Sequence, residues 1–169
     1  MGCAENPDGS LSALMAALRE EHSLLCERLL PAIESLMYKN AAEAGPTADD
    51  ALLIRSKVLA FHADLARLFE REEKGMFPML QRLEASTVIS PCHAGMVKSR
   101  VRFAVIEQNP LTESLAKLKE ATQACPAASC RGVLELLHEF EVILTRHLKL
   151  EREKLFPRAV ELEGKLSGE

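Results

Sequence analysis

The chain has 169 residues, enough for one domain with a sizeable core. Its net charge of −4 excludes a basic surface built for nucleic acid or an anionic membrane. Leu, Ala, Val and Met supply most of the apolar content, Trp is absent, Tyr occurs once and Glu, Lys and Arg are frequent, which favours helix over sheet.

No apolar run approaches the roughly 18 residues that a membrane span requires. No charged stretch followed by a greasy one opens the chain, so no signal peptide is expected. Met1-Gly2-Cys3 has the start of an acylation signal, but Asn6 stands where Ser or Thr is needed. Cys3, Cys26, Cys92, Cys125 and Cys130 are odd in number and scattered. No disulfide framework is expected from them, and a reducing cytoplasm is the expected compartment.

In chain order, the pattern predicts four long helices in a single domain spanning 1–169, with its core at about 10–162. The first runs from about Ser10 to Tyr38 and ends at a small-residue linker through Gly45-Pro46. Thr47 with Asp50 forms a capping pair for the second, which reaches about Leu83. Ser90-Pro91 is a cap and first-turn pair for the third, which Asn109-Pro110 breaks or kinks before a piece from about Leu111 to Thr122. A loop from Cys125-Pro126 to Ser129 leads to the fourth helix, from about Arg131 to Leu162, with a frayed tail after Gly164. Long helices with short connections predict an all-α, antiparallel up-down four-helix bundle.

The helix faces single out a few polar residues. At about 100° per residue, Ile54, Val58, Phe61, Leu65, Leu68, Met76 and Met79 fall within roughly 40° of Glu72, while Glu73 points away. Val133, Leu137, Phe140, Leu144, His147 and Leu155 share the direction of Glu151. Leu11, Met15, Leu18, Cys26, Leu29, Ile33 and Leu36 share that of His22. On the third helix Met96, Val97 and Ala104 lie near the direction of His93, as does Arg100. Burying a carboxylate costs several kcal/mol unless it is paired or binds metal. Arg19 and Arg100 are the candidate partners for pairing. Two stretches also repeat seventy-nine residues apart: Glu72 precedes Phe77-Pro78 as Glu151 precedes Phe156-Pro157. A carboxylate repeated on an apolar face, with imidazoles on the same faces, points to metal; carboxylates bridge cations and imidazole suits iron, zinc and copper.

These residues resemble the hemerythrin-like (HHE cation-binding) domains. His147-x3-Glu151-x4-Phe156-Pro157 resembles their last-helix motif, Glu72-x4-Phe77-Pro78 their second-helix motif, Arg19-Glu-Glu-His22 the surroundings of the first-helix His, and His93 the third-helix His. The resemblance covers about residues 10 to 162 and is nearest to the di-iron proteins linked to repair of iron-sulfur centres, whose site has four His and two bridging Glu. It implies metal ligands His22, Glu72, His93, His147 and Glu151. Leu68 stands where the second-helix His belongs, which leaves two irons with one more open, one iron, or a bundle without metal. Other divalent metals suit the same side chains. Cys26 lies one turn beyond His22 and is a candidate neighbour of the Leu68 position; the alternative is an ordinary small core residue. His62 is on the rim of its stripe, His138 and Tyr38 face outward, and Lys98, Arg100 and Arg102 form a solvated face.

The functional expectation is a cytoplasmic non-haem di-iron protein that binds O2, NO or peroxide, in stress defence or iron-sulfur repair, with a redox or iron-sulfur protein as partner. Repair proteins of this kind often carry a Cys-rich N-terminal domain, of which this chain has only Cys3. No nucleophile, acid–base dyad or nucleotide loop is evident, so the sequence leaves turnover open. The alternatives are an iron or O2 binding or sensing module without turnover, and a metal-free bundle acting as an interaction protein.

Overall fold

The computed structural model describes residues 9–43, 48–125 and 128–168. Four long helices pack each against its sequence neighbours, with the fourth closing on the first. The expected bundle is therefore the fold, and no strand occurs among the described residues.

Three of the four helices carry one π-helical turn. The first comprises Leu11–Ser23, a π segment Leu24–Leu29, and Leu30–Glu43. The second comprises Ala48–Arg71, a π segment Glu72–Met76, and Phe77–Ala85. The fourth comprises Ala128–Leu150, a π segment Glu151–Leu155, and Phe156–Ser167. Each π segment runs into a proline: Pro31, Pro78 and Pro157. A proline inside an α-helix has no N–H to donate and its ring crowds the carbonyl one turn back, at a cost of about 3 kcal/mol. Widening the preceding turn relieves that crowding. The residue before each proline accordingly bonds five residues back: Leu30 N–H to the Leu25 carbonyl, Phe77 to Glu72 and Phe156 to Glu151.

The wider turn also resets which residues face inward. On the first helix the buried face runs through Leu11, Met15, Leu18 and His22, then resumes at Leu25, Leu29, Ile33 and Met37. Cys26 and Leu36, expected on the core face, sit half-buried on its rim.

The third helix is Met96–Ala124 and begins later than expected. Ser90-Pro91 opens only a 3-10 turn, Pro91–His93, and the chain then turns through Gly95 at φ 82°, a conformation that suits glycine. Pro110 does not break this helix. It lies on the exposed side near Ile106, where water can take the carbonyl that loses its partner. The fourth helix extends through Ser167 and ends at Gly168 with φ 81°, so the expected frayed tail is helical. The expected Thr47–Asp50 cap, the Gly45-Pro46 linker and Met1-Gly2-Cys3 fall outside the described residues or side chains.

Cys125 and Cys130 form a disulfide across the connection between the third and fourth helices, with Cα atoms 6.3 Å apart. This corrects the expectation that no cysteines pair. Two cysteines five residues apart read as scattered along a chain, but a Cα separation of 6.3 Å puts them within bridging range.

Carboxylates bind the ends of the bundle together. Glu84, near the end of the second helix, accepts from the Leu11 and Ser12 N–H groups at 2.7 and 3.0 Å, beside the Ser10 cap on Ala13. Glu163 on the fourth accepts from Val97 and Lys98 at 2.8 and 3.1 Å. Each anion meets unpaired N–H groups and the positive end of a helix dipole. Glu84 and Glu163 are again seventy-nine residues apart, so the repeat extends to the capping carboxylates and relates the two halves of the bundle by an internal two-fold.

The core is not continuous. One apolar cluster is built around Leu25, Phe61, Leu65, Leu115 and Phe140, the other around Met15, Phe77, Leu80, Leu155 and Phe156. Between them lies a polar layer: Glu21, His22, Glu72, Gln108, His147 and Glu151, all buried.

Candidate metal centre

The polar layer draws on all four helices. His22 is the last residue but one of the first α-helical stretch of its helix, just before the π turn. Glu72 and Glu151 are each the first residue of a π segment. His147 precedes Glu151 by one helical turn. The His22 Nε2 atom lies 2.8 Å from Glu72 Oε2. The His147 Nε2 atom lies 3.6 Å from the same oxygen and 3.8 Å from Glu151 Oε2. One nitrogen or oxygen each from His22, Glu72 and His147 falls within 4.8 Å of the others. Donors sharing one cation at about 2.1 Å lie up to roughly 4.2 Å apart, so small adjustments bring the three onto a common ion. Glu151, next to His147, supplies a fourth donor on the same layer.

Both imidazoles turn one nitrogen inward and the other to a carboxylate. His22 Nδ1 lies 2.9 Å from Glu73 Oε1, and Glu73 is held by Arg19 at 2.9 Å. His147 Nδ1 lies 3.3 Å from Glu21 Oε2, and Glu21 is held by Arg146 at 2.6 Å. Such carboxylate–histidine pairs fix ring orientation and raise the basicity of the inward nitrogen, as at metal sites. Glu151 is set in the same way: the Gln108 amide nitrogen donates to its Oε2 at 2.6 Å, and Arg152 donates to Gln108 Oε1 at 2.6 Å. The His22 ring stacks on Phe69 with centroids 3.9 Å apart and lies parallel to Phe77 at 5.7 Å. Its plane is therefore fixed by packing as well as by hydrogen bonding.

Burial and proximity shift the protonation of the layer. Burial and the neighbouring Glu72 charge push the Glu151 carboxyl well above the usual carboxylate range. Burial works on Glu72 in the same direction, but hydrogen bonding and charge from His147 and His22 outweigh it and hold Glu72 low. Burial pulls the His147 imidazole down, yet Glu21, Glu72 and Glu151 together lift it to about 9. The layer thus holds protons where opposed carboxylates meet imidazole. Buried polar atoms are nearly always partnered. Here Glu21 Oε2, both His147 ring nitrogens and Glu151 Oε1 make no hydrogen bond of good geometry. His147 Nε2 and Glu151 Oε1 are the donor atoms a cation needs, so the residues present fit a bound metal ion.

The structure brings together His22, Glu72, His147 and Glu151, and it does not bring in His93. That residue is exposed on the 3-10 turn ahead of the third helix, and its nearest partner is Cys92. The later start of the helix removes it from the layer, and Gln108 takes the place facing the site from the third helix. A signal for Gln108 exists in the sequence: Val97, Val101, Ala104, Leu111, Leu115 and Leu118 form a regular stripe that it interrupts. Glu21 and Glu73 are also missing from the sequence reading. Glu73 was expected to point away, but it lies on the seam with the first helix, where pointing off the core face means pointing at His22. Arg19 pairs with Glu73 and not with Glu72. Leu68 is buried in the apolar cluster next to the layer. Cys26 is not among the converging donors. It is half-buried in a surface cleft with His22, and burial, then Glu27, push its thiol up to about 11. His62 bonds to Glu34 at 2.7 Å and His138 is exposed, both outside the site.

Compared with models of known protein families, residues 13–159 match one described as Hemerythrin HHE cation binding domain. Searches of curated proteins and of solved structures return no match. The match covers most of the chain and encloses the whole polar layer, and the chain belongs to the hemerythrin HHE cation-binding domain family.

Proposed function

We propose that this chain is a non-haem iron protein that uses its buried polar layer to present iron to a small ligand such as O2, NO or peroxide. The observation that carries this reading is the convergence of buried donor atoms from His22, Glu72 and His147, with His147 Nε2 and the adjacent Glu151 Oε1 left without hydrogen-bond partners. Bound iron would supply a redox-active centre with affinity for diatomic ligands. The chain's own residues do the rest. His22 and His147 offer inward nitrogens; Glu73 sets the tautomer of His22, and Glu21 lies beside the outer nitrogen of His147. Gln108 and Arg152 hold Glu151 in place. Phe69 and Phe77 cover His22 and limit water. A surface cleft of about 430 Å³, lined by Arg19, His22, Cys26, Phe69 and Glu73 among others, brings a small molecule to the edge of the His22 ring.

Defence against oxidative or nitrosative stress in the cytoplasm is the cellular setting we assign, and repair of iron-sulfur centres its most specific form. The test is iron content after anaerobic Fe(II) loading of protein made without a chelating tag, followed by O2 and NO titration of the reduced protein. A visible or paramagnetic signature that responds to either gas supports the reading, and a chain that takes up no iron refutes it. Reversible O2 uptake without net consumption would assign a binding or sensing role, whereas steady consumption would assign turnover.

A further inference from the structure

The internal two-fold says which ligands this site has and which it lacks. The first N–H groups capped by Glu84 and Glu163, those of Leu11 and Val97, correspond to each other, and His22 and Gln108 stand the same number of residues beyond them. The seventy-nine-residue repeat that pairs Glu72 with Glu151 pairs Leu68 with His147. A symmetric site would therefore have imidazoles at all four places. This chain has them at His22 and His147, which lie side by side with ring centroids 4.9 Å apart. The other two places carry Leu68 and Gln108, on the second and third helices, which also pack against each other.

We infer that this chain binds one metal ion and not a pair, on the side of the layer formed by His22 and His147. The inference rests on the metal-binding reading above. Leu68 offers no donor atom. Gln108 has a carbonyl oxygen that could ligate, but it already accepts from Arg152 at 2.6 Å. Its amide nitrogen donates to Glu151 Oε2 at 2.6 Å, so Gln108 holds Glu151 in place and does not supply the imidazole nitrogen that a second ion would lack. Glu151 Oε1 is the oxygen left without a partner. His93, the remaining imidazole considered as a ligand, is on the surface. Two ions bridged by Glu72 and Glu151 would leave one of them with carboxylates alone, whereas donor atoms of His22, Glu72 and His147 already lie within 4.8 Å of one another, with Glu151 Oε2 3.8 Å from His147 Nε2.

The test is metal stoichiometry on the full chain, with the protein quantified by amino-acid analysis and the metal by elemental analysis after anaerobic Fe(II) loading and removal of excess. The expected result is about one iron per chain. After oxidation, that iron should give the paramagnetic resonance of an isolated high-spin ferric ion. Two irons per chain with a silent, exchange-coupled spectrum would overturn the single-ion inference and leave the iron reading standing. No iron would overturn both. The double variant Leu68→His/Gln108→His, checked for helicity by circular dichroism, should rise to about two irons per chain and lose the isolated-ion signal. A folded double variant that still binds one would overturn the assignment of these two positions as the missing half.

Discussion

Replacing Glu151 with Leu should change stability in opposite directions with and without metal. In metal-free protein Glu151 is fully buried, its Oε1 has no partner and its Oε2 accepts one hydrogen bond from Gln108. An unpartnered buried polar atom costs about 1–3 kcal/mol, which Leu removes. Against this, the buried Gln108 amide is left without its acceptor, which costs about 1–3 kcal/mol and offsets that gain. Leu also joins the two apolar clusters across the layer, adding buried apolar contact worth about 1 kcal/mol. The net expectation in chelator is a gain of about 1 kcal/mol, or roughly 2–4 °C in Tm for a chain of this size. With metal present at a hundred times its Kd, wild type gains about 2.7 kcal/mol from binding, and the variant forfeits most of it. Urea unfolding followed by circular dichroism, run in chelator and again with anaerobic Fe(II), measures both signs. Equal stabilisation in the two conditions would mean that Glu151 does not ligate. Destabilisation in chelator would mean that its carboxyl contributes more to the metal-free fold than its unpartnered oxygen costs. The double change Glu151→Leu/Gln108→Leu, which removes both ends of the hydrogen bond, should exceed the single variant in chelator.

His147→Ala and His22→Ala should abolish stable metal uptake, whereas His93→Ala, on the exposed 3-10 turn, should leave metal content unchanged; elemental analysis of the three variants separates them. Glu21→Gln and Glu73→Gln keep the shape of the outer partner but remove its charge, and each should weaken metal affinity by about 10–100-fold in competition with a chelator, with the fold intact by circular dichroism. In metal-free protein, stability should fall as pH rises from about 6.5 to 9. The folded His147 pKa, about 9, is above its unfolded value, so its contribution is present below the unfolded pKa and lost on passing the folded one. The raised Glu151 carboxyl acts in the same sense. Metal affinity should move the other way, rising with pH because binding displaces those protons; a pH-independent affinity would argue against ligation by His147.

The buried polar residues His22, Glu72, His147 and Glu151 were legible because each broke an apolar stripe, and because the stretches around Glu72 and Glu151 repeat. The third helix was misread for a definable reason. Ser90-Pro91 is a sound helix start in isolation, and taking it as one made His93 the reference for the whole face. Gly95, one residue before Met96, was the better boundary signal, and from it the stripe leads to Gln108. The outer carboxylates Glu21 and Glu73 escaped because facing the core was the sole criterion for interest. In antiparallel packing, the residue beside a ligand faces the neighbouring helix, which is where an orienting partner has to be. The π turns were hidden because face arithmetic assumes an unbroken helical period. Their signal was Pro31, Pro78 and Pro157, three prolines well inside helices whose interiors should exclude them.

The backbone irregularities and the polar layer occur at one level for a common reason. The π turns at Leu24–Leu29, Glu72–Met76 and Glu151–Leu155 begin at or just after His22, Glu72 and Glu151. A wide turn re-aims the side chain at its start and shifts the helix phase beyond it, so an inward donor can sit on the same helix as an apolar face on either side. The prolines hold each wide turn open, since closing it would restore the clash with the carbonyl one turn back. The two apolar clusters above and below supply the packing that keeps the donors in register, although the layer alone adds little cohesion. The consequence is a division of labour within one bundle. Substitutions within the clusters act on stability, whereas substitutions within the layer act on what the layer holds, and a prolyl position such as Pro78 acts on both because it fixes the turn in which Glu72 stands.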